Sequence, residues 1–514
     1  MTQKNLNMKK FYYNACSLEA PHTGVIMDDV MKSRYAGDTV YWAYCHDALS
    51  SCFMNLDGHK SICRFCHRMY REYERKYLQG VTMVPIAYTD FQHVERALAF
   101  KSADEVMAFK YRSVQVGSSV LSIYYDVTRD LDMNNFQGFI TYAVPLIERL
   151  CDFVDYVYQL FAELQPDQVL IYNGRLFENR LFYDIAKHEG IGFVSLEALG
   201  GRVEPYKKIR FEGDLPLNIP LFGRMIEHLW ETSPLSDEEK VRLGSQYYEK
   251  RRHGILIGDT KVYTKEQQDG LLPEGFDPAQ RNVAIFNSSQ DEIVALGDDF
   301  MEGRLFDTQY EAIAFMLEQA PDLHFYLRIH PNLKGVTHRD HMDLYNLRQY
   351  PNITIIPPES VVSTYALMDA CEKVVTFGST TGVEASYWGK PSILVGRSYY
   401  EMLDACYHVQ SKEELAEALK ARLEPKPRLG ADKYGYFEVD RKYLVEESDL
   451  DIDVKYHHLN IDMKKRHLNW DFFSTSYFKI HGSGILFQVE NFLYCILGRK
   501  FCARRMPFPW PQQS

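Results

Sequence analysis

Short apolar runs alternate with amphipathic segments along most of the chain. From Phe11 an apolar opening gives way to the polar stretch Glu19 to Gly24; Val25 to Arg34 then has helical spacing, and Asp38 to Cys45 is a second apolar run. This pattern predicts strand, helix, strand. After a cysteine-bearing loop it predicts a charged helix from His67 to Tyr77, a strand from Val81 to Ala87, and mostly helix to about Leu164. Gln168 to Tyr172 reads as a strand, Arg175 to His188 as a helix and Gly192 to Leu196 as another strand. The segment Gly213 to Gln280, rich in Gly, Pro and charge, reads as a crossover. Strands are then predicted at Val283 to Phe286, His324 to Ile329, Ile353 to Ile356, Lys373 to Phe377 and Ser392 to Val395.

Strands that alternate with helices imply parallel sheets. The fold class expected is α/β: two Rossmann-like, doubly wound domains facing a cleft, with a cysteine-bearing insertion and a helical C-terminal tail. The expected boundaries are 1–215 for the first domain, 216–280 for the crossover, 281–425 for the second domain and 426–514 for the extension. A chain of 514 residues has room for such an arrangement, because single cores stop growing well below that length. Ligands of these sheets bind beyond the carboxyl ends of the strands, so residues just after each strand are the informative ones.

Composition narrows the function. With 46% hydrophobic and 25% charged residues the chain is an ordinary globular one. Its net charge of −12 excludes a general nucleic-acid binder, which needs a basic face. The 14% aromatic share suits sugar or nucleotide surfaces and equally a tyrosine-rich core. The start of the chain is polar and no long uninterrupted apolar run follows, so a cytoplasmic protein is expected. Near the C-terminus, Ile485 to Leu497 is apolar and is followed by Arg499, Lys500, Arg504 and Arg505. Two readings stay open for it: a helix packed back on the domains, or a basic amphipathic contact with the inner face of the plasma membrane.

Cys45, Cys52, Cys63 and Cys66 form a cluster whose last two members have zinc-knuckle spacing. Structural zinc, an iron–sulfur cluster and reduced thiols without metal are the alternatives, with His46, His59 or His67 able to replace a ligand. Nothing in the pattern implies an open coordination position, so no catalytic metal is expected.

The chemistry-bearing motifs cluster in the second half. Arg328 and Ile329 run straight into His330 and Pro331, placing a histidine at the end of a buried strand where it could contact phosphate. The strand from Lys373 is followed by Gly378, Ser379, Thr380, Thr381 and Gly382 and then by a helix start, a pattern of glycine, hydroxyls and free amides suited to an anion. Glu384 in that first turn either steadies the helix end or accepts from ribose hydroxyls.

These residues, together with Gly389, Lys390 and Pro391 and the stretch Phe286 to Glu292, resemble bacterial capsule polysaccharide biosynthesis glycosyltransferases. That family shares a two-Rossmann fold, called GT-B, with Kdo transferases and teichoic-acid glycerophosphotransferases. The resemblance covers the second half well and the first half loosely. It implies that His330, Ser379, Thr380 and Thr381 contact nucleotide phosphates, with Arg328, Gly382 and Glu384 completing the donor site. Where many members have Arg-Pro-His-Pro, this chain has Ile329.

In the first half, the turn Asn173, Gly174, Arg175 follows a predicted strand and Glu197 ends the next, a candidate acceptor site. Arg175 either pairs with Glu197 or meets a charged substrate. Glu19, His22 and Asp291, all in predicted strand-to-helix loops, are candidates for the base that activates an acceptor hydroxyl. The function expected is a glycosyltransferase moving a sugar from a nucleotide-sugar donor to a glycan or lipid-linked glycan acceptor. The alternatives are a sugar-nucleotide epimerase of the same fold and a non-catalytic zinc-bearing scaffold.

Overall fold

The computed structural model describes residues 7–17, 20–53, 55–56, 58, 60–175, 177–199, 207–216, 218–255, 264–289, 304–440, 445–447 and 509. The chain divides into two compact units, one built from residues up to Pro216 with a return at 445–447, the other from 218 to 440.

The first unit is a seven-stranded sheet made of β1 (Lys9–Asn14), β2 (Thr39–Cys45), β3 (Thr82–Ile86), β4 (Gln168–Tyr172), β5 (Gly192–Leu199), β6 (Lys207–Glu212) and, from the return segment, Val445–Glu447. β1 pairs in parallel with both β2 and β4, so the strand order reverses between them. β6 runs antiparallel to β5, and Val445–Glu447 runs antiparallel to β6. Tyr12, Trp42, Leu170, Val194 and Leu196 bury one face of this sheet against the helices Ala20–Tyr35 and Lys60–Lys76. A 29-residue helix, Phe136–Leu164, covers the other face, started by the Asn135 side chain accepting from the Gly138 amide. Phe11 and Tyr13 meet Phe153, Phe161 and Phe182 there.

The second unit is a six-stranded, all-parallel sheet of β7 (Arg281–Phe286), β8 (Leu323–Arg328), β9 (Ile353–Ile356), β10 (Lys373–Thr376), β11 (Ser392–Leu394) and β12 (Tyr407–His408). β7 lies between β8 and β10, which again makes a point of reversal. Its central strands β7 and β10 are buried on both faces, as expected of a parallel sheet.

The two α/β sheets agree with the expected fold class. The stretch read as a crossover differs: it holds two full helices, Ile219–Thr232 and Asp237–Arg252, grouped with the second unit. The second of these is sharply bounded, with Ser236 and Glu239 forming a reciprocal cap, acids in the first turn and bases in the last. It packs against a further helix, Leu429–Val439, where Tyr248 donates to the Ala431 carbonyl at 2.5 Å. The extension expected from residue 426 therefore begins inside the second unit. The apolar and basic segment from Ile485 to Arg505 lies outside the described residues.

Candidate functional site

In the second unit, the loops after β7, β8 and β10 meet at the point of reversal. Asn287, directly after β7, accepts through Oδ1 from the His330 amide at 2.7 Å. His330 in turn accepts at Nδ1 from the Asn332 amide at 3.1 Å, and Pro331 opens a short 3₁₀ turn. Accepting at Nδ1 puts the proton of the neutral ring on Nε2 and makes that nitrogen a donor. The sequence-predicted histidine is thus held at both its backbone and its ring.

Arg328 precedes it by two residues and is only 3% exposed. Its Nη2 donates to the Ser360 carbonyl at 3.0 Å, while its buried Nε and Nη1 have no partner among the described residues. Burial pulls its pKa down to about 10. Asn287 Nδ2 and the Ser288 hydroxyl are likewise buried and without a partner among the described residues. The backbone of Ser288 is fixed by Gln309, which bonds both its amide and its carbonyl.

After β10, Gly378 has φ +127°, and a Cβ there would come within 2.7 Å of the Arg397 carbonyl. Only glycine fits this approach. The same Cβ would lie 3.8 Å from Ser288 Oγ, which ties the β10 loop to the β7 loop. Tyr400 donates to the Ser379 carbonyl at 2.6 Å, and Thr381 bonds the Ser379 hydroxyl at 2.9 Å. The helix that follows, Thr381–Tyr387 with Gly382 buried in it, spans seven residues, too few to concentrate much dipole at its start.

Glu384 is 1% exposed, and both its oxygens are engaged. Oε1 takes bonds from Arg251 Nε at 3.0 Å and Thr380 at 3.1 Å; Oε2 takes one from the Tyr365 hydroxyl. Arg251 also donates to the Thr380 hydroxyl at 3.2 Å. Of the two roles open to Glu384, this geometry is that of a clamp on the helix start, with Thr380 part of the same clamp. Arg251 and Tyr365 come from helices remote in sequence and were not foreseen.

The first unit gathers His22, Asn173, Gly174, Arg175 and Glu197 at the reversal between β1 and β4. The His22 ring stacks on Tyr172 at 3.7 Å, and burial lowers its pKa to about 3. Such an imidazole stays neutral and is a weak base near pH 7. Asn173 and Gly174 both adopt left-handed conformations, at φ 59° and 90°. Asn173 Nδ2 donates to Glu197 Oε1, and Asn173 Oδ1 accepts from the Arg175 amide at 3.0 Å. The Arg175 guanidinium lies 3.5 Å from Asp126. Burial pushes the Glu197 carboxyl up to about 7, against the opposing pull of Asn173, Tyr172 and the Arg175 charge. Glu19 and Asp291 lie outside the described residues.

Every described cysteine is a free thiol. Cys66 finds its sulfur neighbour in Cys16, at 3.8 Å, and takes bonds from the Ser17 amide and hydroxyl at 3.3 and 3.2 Å. Cys63 instead accepts from Asn55 at 3.3 Å, and Cys45, at the end of β2, is pushed up in pKa by burial. Among the described residues no group of three or more His, Cys, Asp or Glu side chains is arranged to hold a metal ion. Nor, among them, is any helix long and apolar enough to cross a membrane.

The strand ends that carry Asn287, Arg328, His330 and Ser379 fall in one contiguous stretch. Residues 287–427 match the model of the capsule polysaccharide biosynthesis protein family. The resemblance read from the sequence is borne out over that stretch, a little over a quarter of the chain. Among solved structures, the β-Kdo 2,4-transferase KpsC of Thermosulfurimonas dismutans is 16% identical, with 52% of this chain and 79% of that one covered at a TM-score of 0.35. The UDP-GlcNAc 2-epimerase of Neisseria meningitidis, solved with UDP-GlcNAc, is 12% identical over 84% of this chain and 98% of that one, at a TM-score of 0.25. No curated protein matches the chain by sequence.

Proposed function

We propose that the protein is a glycosyltransferase of capsule or surface polysaccharide synthesis, moving a sugar from a nucleotide-activated donor to a glycan or glycolipid acceptor. One observation carries this reading: Arg328 Nε and Nη1, Asn287 Nδ2 and Ser288 Oγ, buried in the family-matching stretch, have no hydrogen-bond partner among the described residues. A guanidinium out of water is costly unless an anion answers it. The phosphate of a nucleotide sugar is such an anion, and the loops beyond parallel strands are where these folds take nucleotides.

The chemistry follows. As the bond from sugar to phosphate breaks, negative charge grows on the phosphate oxygens. Arg328 and the Nε2 donor of His330 are suited to stabilise it, fixed in place beforehand by Ser360, Asn287 and Asn332. In this reading the acceptor is assigned to the first unit, on Asn173, Gly174, Arg175 and Glu197. The test is a melting curve of the full chain with CMP, CDP, UDP and GDP in turn. One of them is expected to raise the melting temperature, since ligand at a hundred times its Kd adds about 2.7 kcal/mol of stability. No shift with any of the four would sink the proposal.

A further inference from the structure

Cys66, Tyr70 and Tyr73 stand three and four positions apart on the helix Lys60–Lys76 and so share one of its faces. That face grips the loop leaving β1. The Tyr70 hydroxyl donates to the Asn14 carbonyl at 2.8 Å, the Tyr73 hydroxyl to the Ser17 carbonyl at 3.3 Å, and the Ser17 hydroxyl to the Cys66 carbonyl at 2.8 Å. Cys16 sits between these anchors, its carbonyl accepting from the Thr23 hydroxyl at 3.1 Å. The frame leaves its sulfur 3.8 Å from that of Cys66, a residue 50 positions away in the chain. Both side chains lie in the core, at 8% and 6% exposure. A disulfide has its sulfurs about 2.05 Å apart, so about 1.8 Å of approach separates the two thiols from a bond.

The two sulfurs are not equivalent. Cys66 Sγ also accepts from the Ser17 amide at 3.3 Å and lies 3.2 Å from the Ser17 hydroxyl. Donors aimed at a sulfur favour its thiolate, the form that attacks. Hydrogen bonds from Cys16 and then from Ser17 hold the Cys66 thiol below its ordinary range, against the effect of burial. Cys16 moves the other way, pushed up by its bonds to Cys52 and Cys66 and by burial. Burial likewise pushes Cys151, Cys371 and Cys406 up to about 12, which keeps them thiols at neutral pH.

We propose that Cys16 and Cys66 form a dithiol site oxidised by hydrogen peroxide to a disulfide, Cys66 attacking and Cys16 resolving. In the first step the Cys66 thiolate forms an S–O bond as the peroxide O–O bond breaks. Hydroxide leaves and takes up a proton, and Cys66 becomes a sulfenic acid. The Cys16 sulfur then attacks that of Cys66: the S–S bond forms, the S–O bond breaks, and the departing hydroxide takes the Cys16 proton as water. Two thiols lose two electrons, and one peroxide is reduced to two waters. The bridge fastens the loop after β1 to the helix Lys60–Lys76, beside the reversal between β1 and β4. The site lies wholly in the first unit and stands whether or not the transferase reading does. A third thiol, the half-buried Cys52, also bonds Cys16 and is the competing partner.

The experiment treats the reduced full chain with hydrogen peroxide, alkylates the remaining thiols and maps tryptic peptides without reduction by mass spectrometry. Cleavage after Lys10, Lys32, Arg64 and Arg68 puts Cys16 and Cys66 in separate peptides, each free of other cysteines. The expected product links those two peptides, forms at least about tenfold faster than Cys151, Cys371 or Cys406 is oxidised, and is reversed by dithiothreitol. Cys16→Ser should leave Cys66 as a sulfenic acid that dimedone traps, Cys66→Ser should leave Cys16 reduced, and Cys52→Ser should still give the bridge. The wild-type map decides without any variant should one fold poorly. Cys16 and Cys66 both remaining alkylatable after peroxide, or Cys16 linked to Cys52 instead, overturns the proposal.

Discussion

Replacing Arg328 by methionine separates a binding residue from a structural one. In the folded protein the guanidinium is 3% exposed, bonded among the described residues to the Ser360 carbonyl alone, and burial pulls its pKa down from the ordinary guanidinium range to about 10. At 1.36 kcal/mol per pH unit, that gap is about 3 kcal/mol spent on keeping the buried charge. The sign follows from the depressed value: the charged form is disfavoured in the folded state, so the penalty is complete at pH 7 and fades only as pH rises above about 10. Methionine removes the penalty, fills similar volume, and forfeits one hydrogen bond of about 1 kcal/mol to Ser360. The net expectation is a ligand-free protein at least as stable as wild type, by about 1 to 2 kcal/mol in urea unfolding. Nucleotide affinity should move the other way, falling about ten- to a hundredfold with loss of a charge-assisted phosphate contact. Urea unfolding followed by fluorescence, with and without the nucleotide that raises the melting temperature, reads both quantities. A variant less stable than wild type that still binds nucleotide fully would refute the reasoning, because it would make Arg328 a structural support.

His330→Ala should leave the melting temperature within a few degrees of wild type while weakening nucleotide binding about tenfold or more; calorimetric titration decides, and an unchanged Kd removes the ring from the site. Arg251→Met should do the reverse of Arg328→Met. It strips the 1%-exposed Glu384 of its cation, and breaking a buried pair costs about 3 to 5 kcal/mol. Urea midpoints measure it, and a wild-type midpoint would show that Tyr365 and Thr380 suffice to hold the carboxylate.

The alternation of apolar runs and helical spacing was enough to read the parallel strands, because their periodicity is a local property. β4 and β9 fall where the pattern puts them, at Gln168–Tyr172 and Ile353–Ile356. The helices at Ile219–Thr232 and Asp237–Arg252 escaped notice for a local reason too. The second is so rich in charge that its buried residues, Lys240, Gly244, Tyr247 and Tyr248, form no apolar stripe, and the charge resembles that of a linker. Long-range pairings were out of reach. Arg251 meets Glu384 across 133 positions of sequence, and nothing near either residue announces the other. The cysteines make the same point: spacing grouped Cys63 with Cys66, but Cys66 packs beside Cys16 because the end of β1 and the helix Lys60–Lys76 share one core. Strand-end residues such as His330 are legible because their position follows from one strand and one proline. Whether such a residue has a binding partner depends on neighbouring strands, and only the fold places Asn287 beside His330. Glu197 is visible in the sequence as the acid that ends an apolar strand, while its raised pKa and its hold on Asn173 arise from burial at a reversal point that no local pattern encodes.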